Sequence, residues 1–252
     1  VAYRVGEPYG TLVLAIAITF IEVSLIVSLM LAGGSETSTL ARDTVFAAVI
    51  IILTGIVGSS LLVGGLIYKE QSFRSTGVSA ALITLTAISV LTLILPNYTT
   101  SVFGPEFNDS QLIFVAIVSL VLYATFIAIQ TGRHRDYFIS KAGPDTGEEE
   151  IQIPSNLTAW ISMVLLLVCL GAVVLIAKAL APSLETFVVQ IGAPKSLVGV
   201  IVALVILLPE GLAAFRAARK NRFQTSLNLA LGSALASIGL TIPAVALVSI
   251  NT

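Results

Sequence analysis

Long apolar runs separated by short polar clusters recur along the whole chain, at about 9 to 33, 43 to 68, 76 to 96, 111 to 131, 157 to 181, 195 to 217 and 224 to 250. Each run is close to the ~20 residues that a helix needs to cross a hydrocarbon core. The separators carry turn and charge signals: Gly33-Gly34-Ser35-Glu36, Lys69-Glu70-Gln71, Pro96-Asn97, Gly132-Arg133-His134-Arg135, Pro182-Ser183 and Lys220-Asn221-Arg222. The pattern predicts an all-α polytopic membrane protein with about seven transmembrane helices.

Composition sharpens that reading. Of 252 residues, 56% are hydrophobic and 11% charged, with a mean hydropathy of +1.01, whereas a soluble domain carries about 25% charged residues. The lipid bilayer is therefore the expected partner. A net charge of −1, with basic residues confined to short loops, excludes nucleic acid as a partner. The single cysteine, Cys169, lies inside an apolar run and reads as packing. No residue pattern calls for a cofactor, and nothing in the chain bears on oligomeric state. The sequence opens at Val1 without an initiator Met and stops at Thr252 directly after an apolar stretch, so it reads as a fragment with further helices expected on either side.

Basic residues set the expected topology. Ten of the thirteen (Arg4, Lys69, Arg74, Arg133, Arg135, Lys141, Arg216, Arg219, Lys220 and Arg222) fall on one side of a seven-span arrangement, and Arg42, Lys178 and Lys195 on the other. Lys and Arg are retained on the cytoplasmic side, which makes the N-terminal end of the chain cytoplasmic. The longest loop, 132–156, holds Glu148, Glu149 and Glu150 and divides the chain. It separates a first half with four spans (1–131) from a second with three (157–252). This loop is either a solvated linker or a cation-sensing, regulatory acidic segment.

Of fourteen acidic residues, only Glu22 and Glu210 fall well inside a span. A carboxylate near the bilayer centre costs on the order of 2.5–3.5 kcal/mol on insertion scales, so it faces the protein interior and has a function or a partner there. Asp43, Lys178 and Lys195 sit at span ends, where they can reach the interface, and no Lys, Arg or His well inside a span is available to pair with it. Taken singly, either Glu also fits a permanently protonated side chain bonded to a neighbouring helix. Their surroundings match, however. Each is followed about ten residues later by a polar turn, then by a helix rich in small residues: Thr54-Gly55-Ile56-Val57-Gly58-Ser59-Ser60 after Glu22, and Gly232-Ser233-Ala234-Leu235-Ala236-Ser237 after Glu210.

This weak internal repeat is inverted, since the topology runs the Glu22 helix outward and the Glu210 helix inward. Inverted repeats with a site at the midplane are characteristic of secondary transporters. Pro209 removes a backbone donor beside Glu210, which either frees carbonyls for a cation or is an ordinary kink. The small residues allow close helix packing, which would bring Thr54, Ser233 and Ser237 near the carboxylates. Hydroxyl oxygens suit hard cations such as Na⁺, K⁺ or Ca²⁺.

The stretch from Glu210 to Pro243, EGLAAFRAARKNRFQTSLNLALGSALASIGLTIP, resembles the second signature repeat of the calcium/cation antiporter superfamily, in its cation/proton exchanger branch. The features that carry the resemblance are Glu210, Lys220-Asn221-Arg222, Gly232-Ser233 and Pro243. The first repeat, around Glu22 and on through Ala41-Arg42-Asp43-Thr44 to Gly58, looks like the bacterial ChaA type of sodium, potassium or calcium/proton antiporter. The resemblance implies a fold of ten or eleven helices, of which this chain lacks about two at each end. It also implies an acidic cytoplasmic segment between the halves, where Glu148 to Glu150 stand, and two Glu residues, Glu22 and Glu210, that bind cation and proton alternately. A bacterial cytoplasmic membrane is the implied location. The chain departs from the family in having Ile18-Thr19 and Ile206-Leu207 where Gly-Asn usually precedes each Glu, and Ala236 where Gln is common. Thr19, Thr54, Ser233 and Ser237 are the remaining side-chain oxygens, so monovalent exchange stands beside Ca²⁺ as the implied chemistry.

Other classes fit less well. A seven-helix photoreceptor needs a Schiff-base Lys in its last helix, which has none. An intramembrane serine protease needs a buried base, yet the single histidine, His134, lies in a loop between Arg133 and Arg135. A cation channel lined by the same two Glu residues is the alternative that the sequence leaves open.

Overall fold

The computed structural model describes residues 17, 19–27, 40–139, 155–194 and 196–251. Its regular elements are helical, as expected of chains that must satisfy every backbone group without water. Helix α1 covers 19–27. Helices α2 (Leu40–Ile50) and α3 (Val57–Tyr68) join through a π-helical turn, Ile51–Ile56. Helix α4 (Ser75–Ser89) continues through a second π-helical turn, Val90–Ile94, into a 3₁₀ turn at Leu95–Tyr98. Helices α5 (Asp109–Thr131), α6 (Asn156–Gln190), α7 (Ser196–Arg219) and α8 (Phe223–Asn251) follow.

Five helical stretches among the described residues are long and apolar enough to cross a membrane: Arg42–Tyr68, Ser75–Tyr98, Asp109–Thr131, Ser196–Arg219 and Phe223–Ile250. They match five of the apolar runs in the sequence. The first run falls largely outside the described residues. The fifth lies within α6, where the structure corrects the expected turn at Pro182-Ser183, because the helix passes through both positions. Proline lacks one backbone donor, but a helix in an apolar medium retains its remaining hydrogen bonds at such a position.

Helix α8 is the hub, packing against α5, α7 and α4, while α2 and α3 pack on α7. A core of Ile52, Leu85, Ile88, Leu207, Leu235 and Ile238 fills the space between them. Large apolar side chains such as Phe114, Ile117, Leu165 and Leu208 face outward. Exposed apolar surface on this scale marks a membrane-facing protein. Asn108 caps α5 in a reciprocal pair with Gln111, fixing where that helix begins.

Two ends are distinguishable. At one, the turns after α3 and α7 both use a left-handed non-glycine residue, Lys69 (φ 64°) and Asn221 (φ 57°). There Tyr68 Oη donates to the Arg219 carbonyl at 2.7 Å and Gln71 Nε2 to the Ala218 carbonyl at 2.8 Å. The Arg74 backbone N–H donates to Gln224 Oε1, and its guanidinium to the Asp136 carbonyl. Asn228 Nδ2 donates to the Phe138 carbonyl. The basic loops therefore meet at one end, and α2–α3 runs parallel to α7. At the other end an open hollow of about 370 Å³ lies among Arg42, Asp43, Phe46, Asn97, Ser196 and Val200. Close by, Gly199 lets α7 approach the backbone of Asp43 and Thr44 so tightly that a Cβ would sit 3.1 Å from the Thr44 nitrogen.

Candidate cation site

Glu22 and Glu210 lie on different helices, α1 and α7, and both are buried, at 2% and 4% exposure. One helix holds them both. Ser237 Oγ on α8 donates to Glu22 Oε2 at 2.5 Å, and Ser233 Oγ, on the same helix, donates to Glu210 Oε2. The two serines are four residues apart, so they share a face and are separated by a rise of ~6 Å. The second oxygen of Glu22, Oε1, is buried without a hydrogen-bond partner.

Local sequence explains the approach. Gly211, directly after Glu210, lets the Ile56 side chain close against α7, where a Cβ would stand 3.3 Å from two of its carbons. Ile56 ends the π-helical turn, so that bulge seats the first half against the Glu210 segment. Pro209 stands inside α7 and supplies no N–H to the preceding turn.

Of the four hydroxyls expected near the carboxylates, Ser233 and Ser237 reach them. Thr19 is buried on the Glu22 helix, three residues before it. Thr54 is exposed and gives its hydroxyl to the Ile50 carbonyl at 2.6 Å, so it does not contact either Glu. Glu148, Glu149 and Glu150 lie outside the described residues. His134 stacks on Tyr137 at 5.0 Å in the loop after α5. No group of three or more His, Cys, Asp or Glu side chains suited to holding a metal ion occurs among the described residues.

Electrostatics decides what the pair can do. An ionised carboxylate in a dry interior is expensive unless paired, and neither Glu has an ion-pair partner among the described residues. Each has a hydroxyl donor, which offsets only part of that cost. A buried carboxyl of this kind is kept neutral by a proton or offset by a cation.

Two hydroxyls not foreseen from the sequence, Ser226 and Thr241, sit in register with Ser233 and Ser237 on α8. Equally unforeseen are the polar residues that join the basic loops, Gln71, Gln224 and Asn228. No short-range spacing marks such long-range partners.

Comparison with known proteins adds the family. The sodium/calcium exchanger protein model matches residues 3–132 and 161–252. The protein y4hA of Sinorhizobium fredii is 46% identical over 249 residues, covering 99% of this chain and 67% of its own length. The sodium-potassium/proton antiporter ChaA of Escherichia coli is 37% identical, covering 100% of this chain and 68% of its own. The solved H⁺/Ca²⁺ exchanger CAX superposes with a TM-score of 0.68 at 19% identity, over 93% of this chain and 55% of that one. The chain thus spans about two thirds of its bacterial relatives' length and little over half of the solved exchanger, whose likeness shows the fold.

Proposed function

This chain belongs to the sodium/calcium exchanger protein family, and from that premise we propose that it forms the core of a secondary transporter exchanging a cation for protons, with Glu22 and Glu210 binding the two alternately. The observation that supports this most is the anchoring of both buried carboxylates on α8, one turn apart, through Ser237 and Ser233. Proton and cation compete for the same oxygens, so a bound cation leaves only as protons arrive. Ser233 and Ser237 hold the carboxylates, and Thr19 lies on the Glu22 helix to complete the oxygen set. Thr54 serves its own helix.

In this reading the halves 1–131 and 157–252 rock against each other across the site, in the manner of inverted-repeat transporters. The segment 132–156, with Glu148, Glu149 and Glu150, is a regulatory linker outside the transport path. The basic end faces the cytoplasm of a bacterial inner membrane, since basic loops are retained on that side. The cargo is Na⁺, K⁺ or Ca²⁺, in keeping with the names of the relatives. Proton flux from vesicles containing the protein, driven in turn by gradients of each cation, tests all of this together. A proton flux coupled to the cation gradient is the expected result. Single-channel currents without coupling would instead identify a cation channel and sink the proposal.

A further inference from the structure

Helix α8 carries more hydroxyls than the two that hold the carboxylates. Ser226, Ala230, Ser233, Ser237 and Thr241 follow one another at spacings of four, three, four and four, so they form one stripe on one face. All five are buried. The stripe rises ~22 Å along the helix axis, most of a ~30 Å hydrocarbon core. Its two middle serines donate to Glu210 and Glu22, whereas the hydroxyls at its ends, Ser226 Oγ and Thr241 Oγ1, are buried without a partner.

The orphaned hydroxyl of Thr241 is unlike those of other helical threonines in this chain. Thr54, Thr84, Thr92, Thr125 and Thr131 each give theirs to the carbonyl four residues earlier. That habit is usual in apolar helices, and Thr241, at 0% exposure, does not share it. A buried polar group left unpaired is a place where internal water is held. Thr241 stands one turn, a rise of ~6 Å, beyond Ser237 on the same face, so a water lodged between them can join their hydroxyls. Toward the basic end the stripe is interrupted, because Ala230 separates Ser226 from Ser233.

We propose that Thr241 is a proton-relay residue, passing the exchanged proton through Ser237 to the Glu22 carboxylate from the end of α8 remote from the basic loops. The inference rests on the exchange function proposed for the Glu22–Glu210 site. A hydrated proton gives H⁺ to the Thr241 oxygen while the hydroxyl's own proton leaves to the bridging water. That water passes a proton to Ser237, whose proton moves to Glu22. Each hydroxyl forms one O–H bond and breaks one, no group is oxidised or reduced, and the sum is one carboxylate converted to a carboxylic acid.

The test compares wild type, Thr241→Val and Thr241→Ser in vesicles, with Thr125→Val as a lipid-facing control. Proton-coupled cation flux is measured beside cation self-exchange of ²²Na⁺ or ⁴⁵Ca²⁺ at fixed pH, which needs no net proton transfer. Thr241→Val should slow the coupled flux on the order of 10²-fold, the scale of a positioned proton-transfer group, and leave self-exchange and its half-saturation unchanged. Thr241→Ser should restore the coupled flux. An unaltered coupled flux in Thr241→Val overturns the relay, and so does weakened self-exchange affinity, which would make Thr241 a cation ligand. If Thr241→Val fails to insert, Thr241→Ala is read in the same two assays. Failure of that variant too would assign the hydroxyl a structural role and end the proposal. A wild type that moves cation without protons would refute the exchange function itself, a result distinct from any behaviour of the variants.

Discussion

Replacing Ser237 by Ala removes the hydroxyl that donates to Glu22 Oε2 at 2.5 Å and takes nothing else of comparable size from the site. Because Glu22 Oε1 has no partner, the carboxyl cannot compensate by leaning on a second bond at that oxygen. A hydrogen bond to a charged group contributes about 1.5–3 kcal/mol. The cation binds the ionised carboxylate, and the donor stays available to Oε2 while it is bound. Its loss should therefore weaken apparent cation affinity by roughly 10- to 150-fold, at 1.4 kcal/mol per tenfold. Ser237→Thr, which keeps a hydroxyl, should retain most of the affinity. The half-saturating cation concentration for proton release from vesicles, at fixed pH and with insertion checked by size-exclusion chromatography in detergent, reads the effect directly. Wild-type affinity in correctly inserted Ser237→Ala would show that this hydrogen bond does not support the ionised carboxylate, and Ser237 would lose its role as the anchor of Glu22.

Further outcomes follow from the same geometry. Glu22→Gln and Glu210→Gln each fix a neutral group of nearly the same size, so each should abolish proton-coupled exchange in an inserted protein; near wild-type flux in either one removes that residue from the shared site. Apparent cation affinity should weaken as pH falls, because protons occupy the oxygens that the cation needs, and affinity independent of pH would contradict competition. Single cysteines beside Lys69 and Arg222, in a background lacking Cys169, should be labelled from the same side, and one beside Asn108 from the opposite side; labelling of the first two from opposite sides would break the inverted arrangement. Gly64→Ala should displace the Gln71 side chain, which lies where the new Cβ would go, and cost about 1–3 kcal/mol through its two hydrogen bonds to Ala218 and Asn221. That loss should appear as lower thermal stability in detergent, with the half-saturating cation concentration unchanged.

Apolar run length placed the spans well because it is fixed by the thickness of the hydrocarbon core: the runs at 43–68, 111–131 and 224–250 became Arg42–Tyr68, Asp109–Thr131 and Phe223–Ile250. The same logic misplaced the turn at Pro182, since proline ends a helix reliably only where water can take up the freed carbonyl. The burial of Glu22 and Glu210 was legible because an acidic residue well inside an apolar run has to face the protein interior. Thr54 was misjudged because Thr in an apolar helix bonds its own backbone first, and Thr54 and Thr92 do so within the two π-helical turns. That competition for the carbonyl favours departure from α geometry, although Thr125 does the same in a regular helix, so the hydroxyl alone is not sufficient. The polar joints of Gln71, Gln224 and Asn228 follow from contacts about 90 to 150 residues apart in sequence, which one sequence without its fold does not disclose.

The joints at the basic end also bear on how the surface can evolve. Tyr68, Gln71, Arg74 and Asn228 all grip main-chain carbonyls, at Arg219, Ala218, Asp136 and Phe138. A carbonyl is present whatever side chain its residue bears, so these grips do not depend on the identity of residues 136, 138, 218 or 219. Surface residues such as Asp136 and Arg219 can therefore be exchanged, and the charge presented to lipid headgroups retuned, without loosening the joint. The hold on the loops therefore rests on the four grasping side chains and not on the residues grasped.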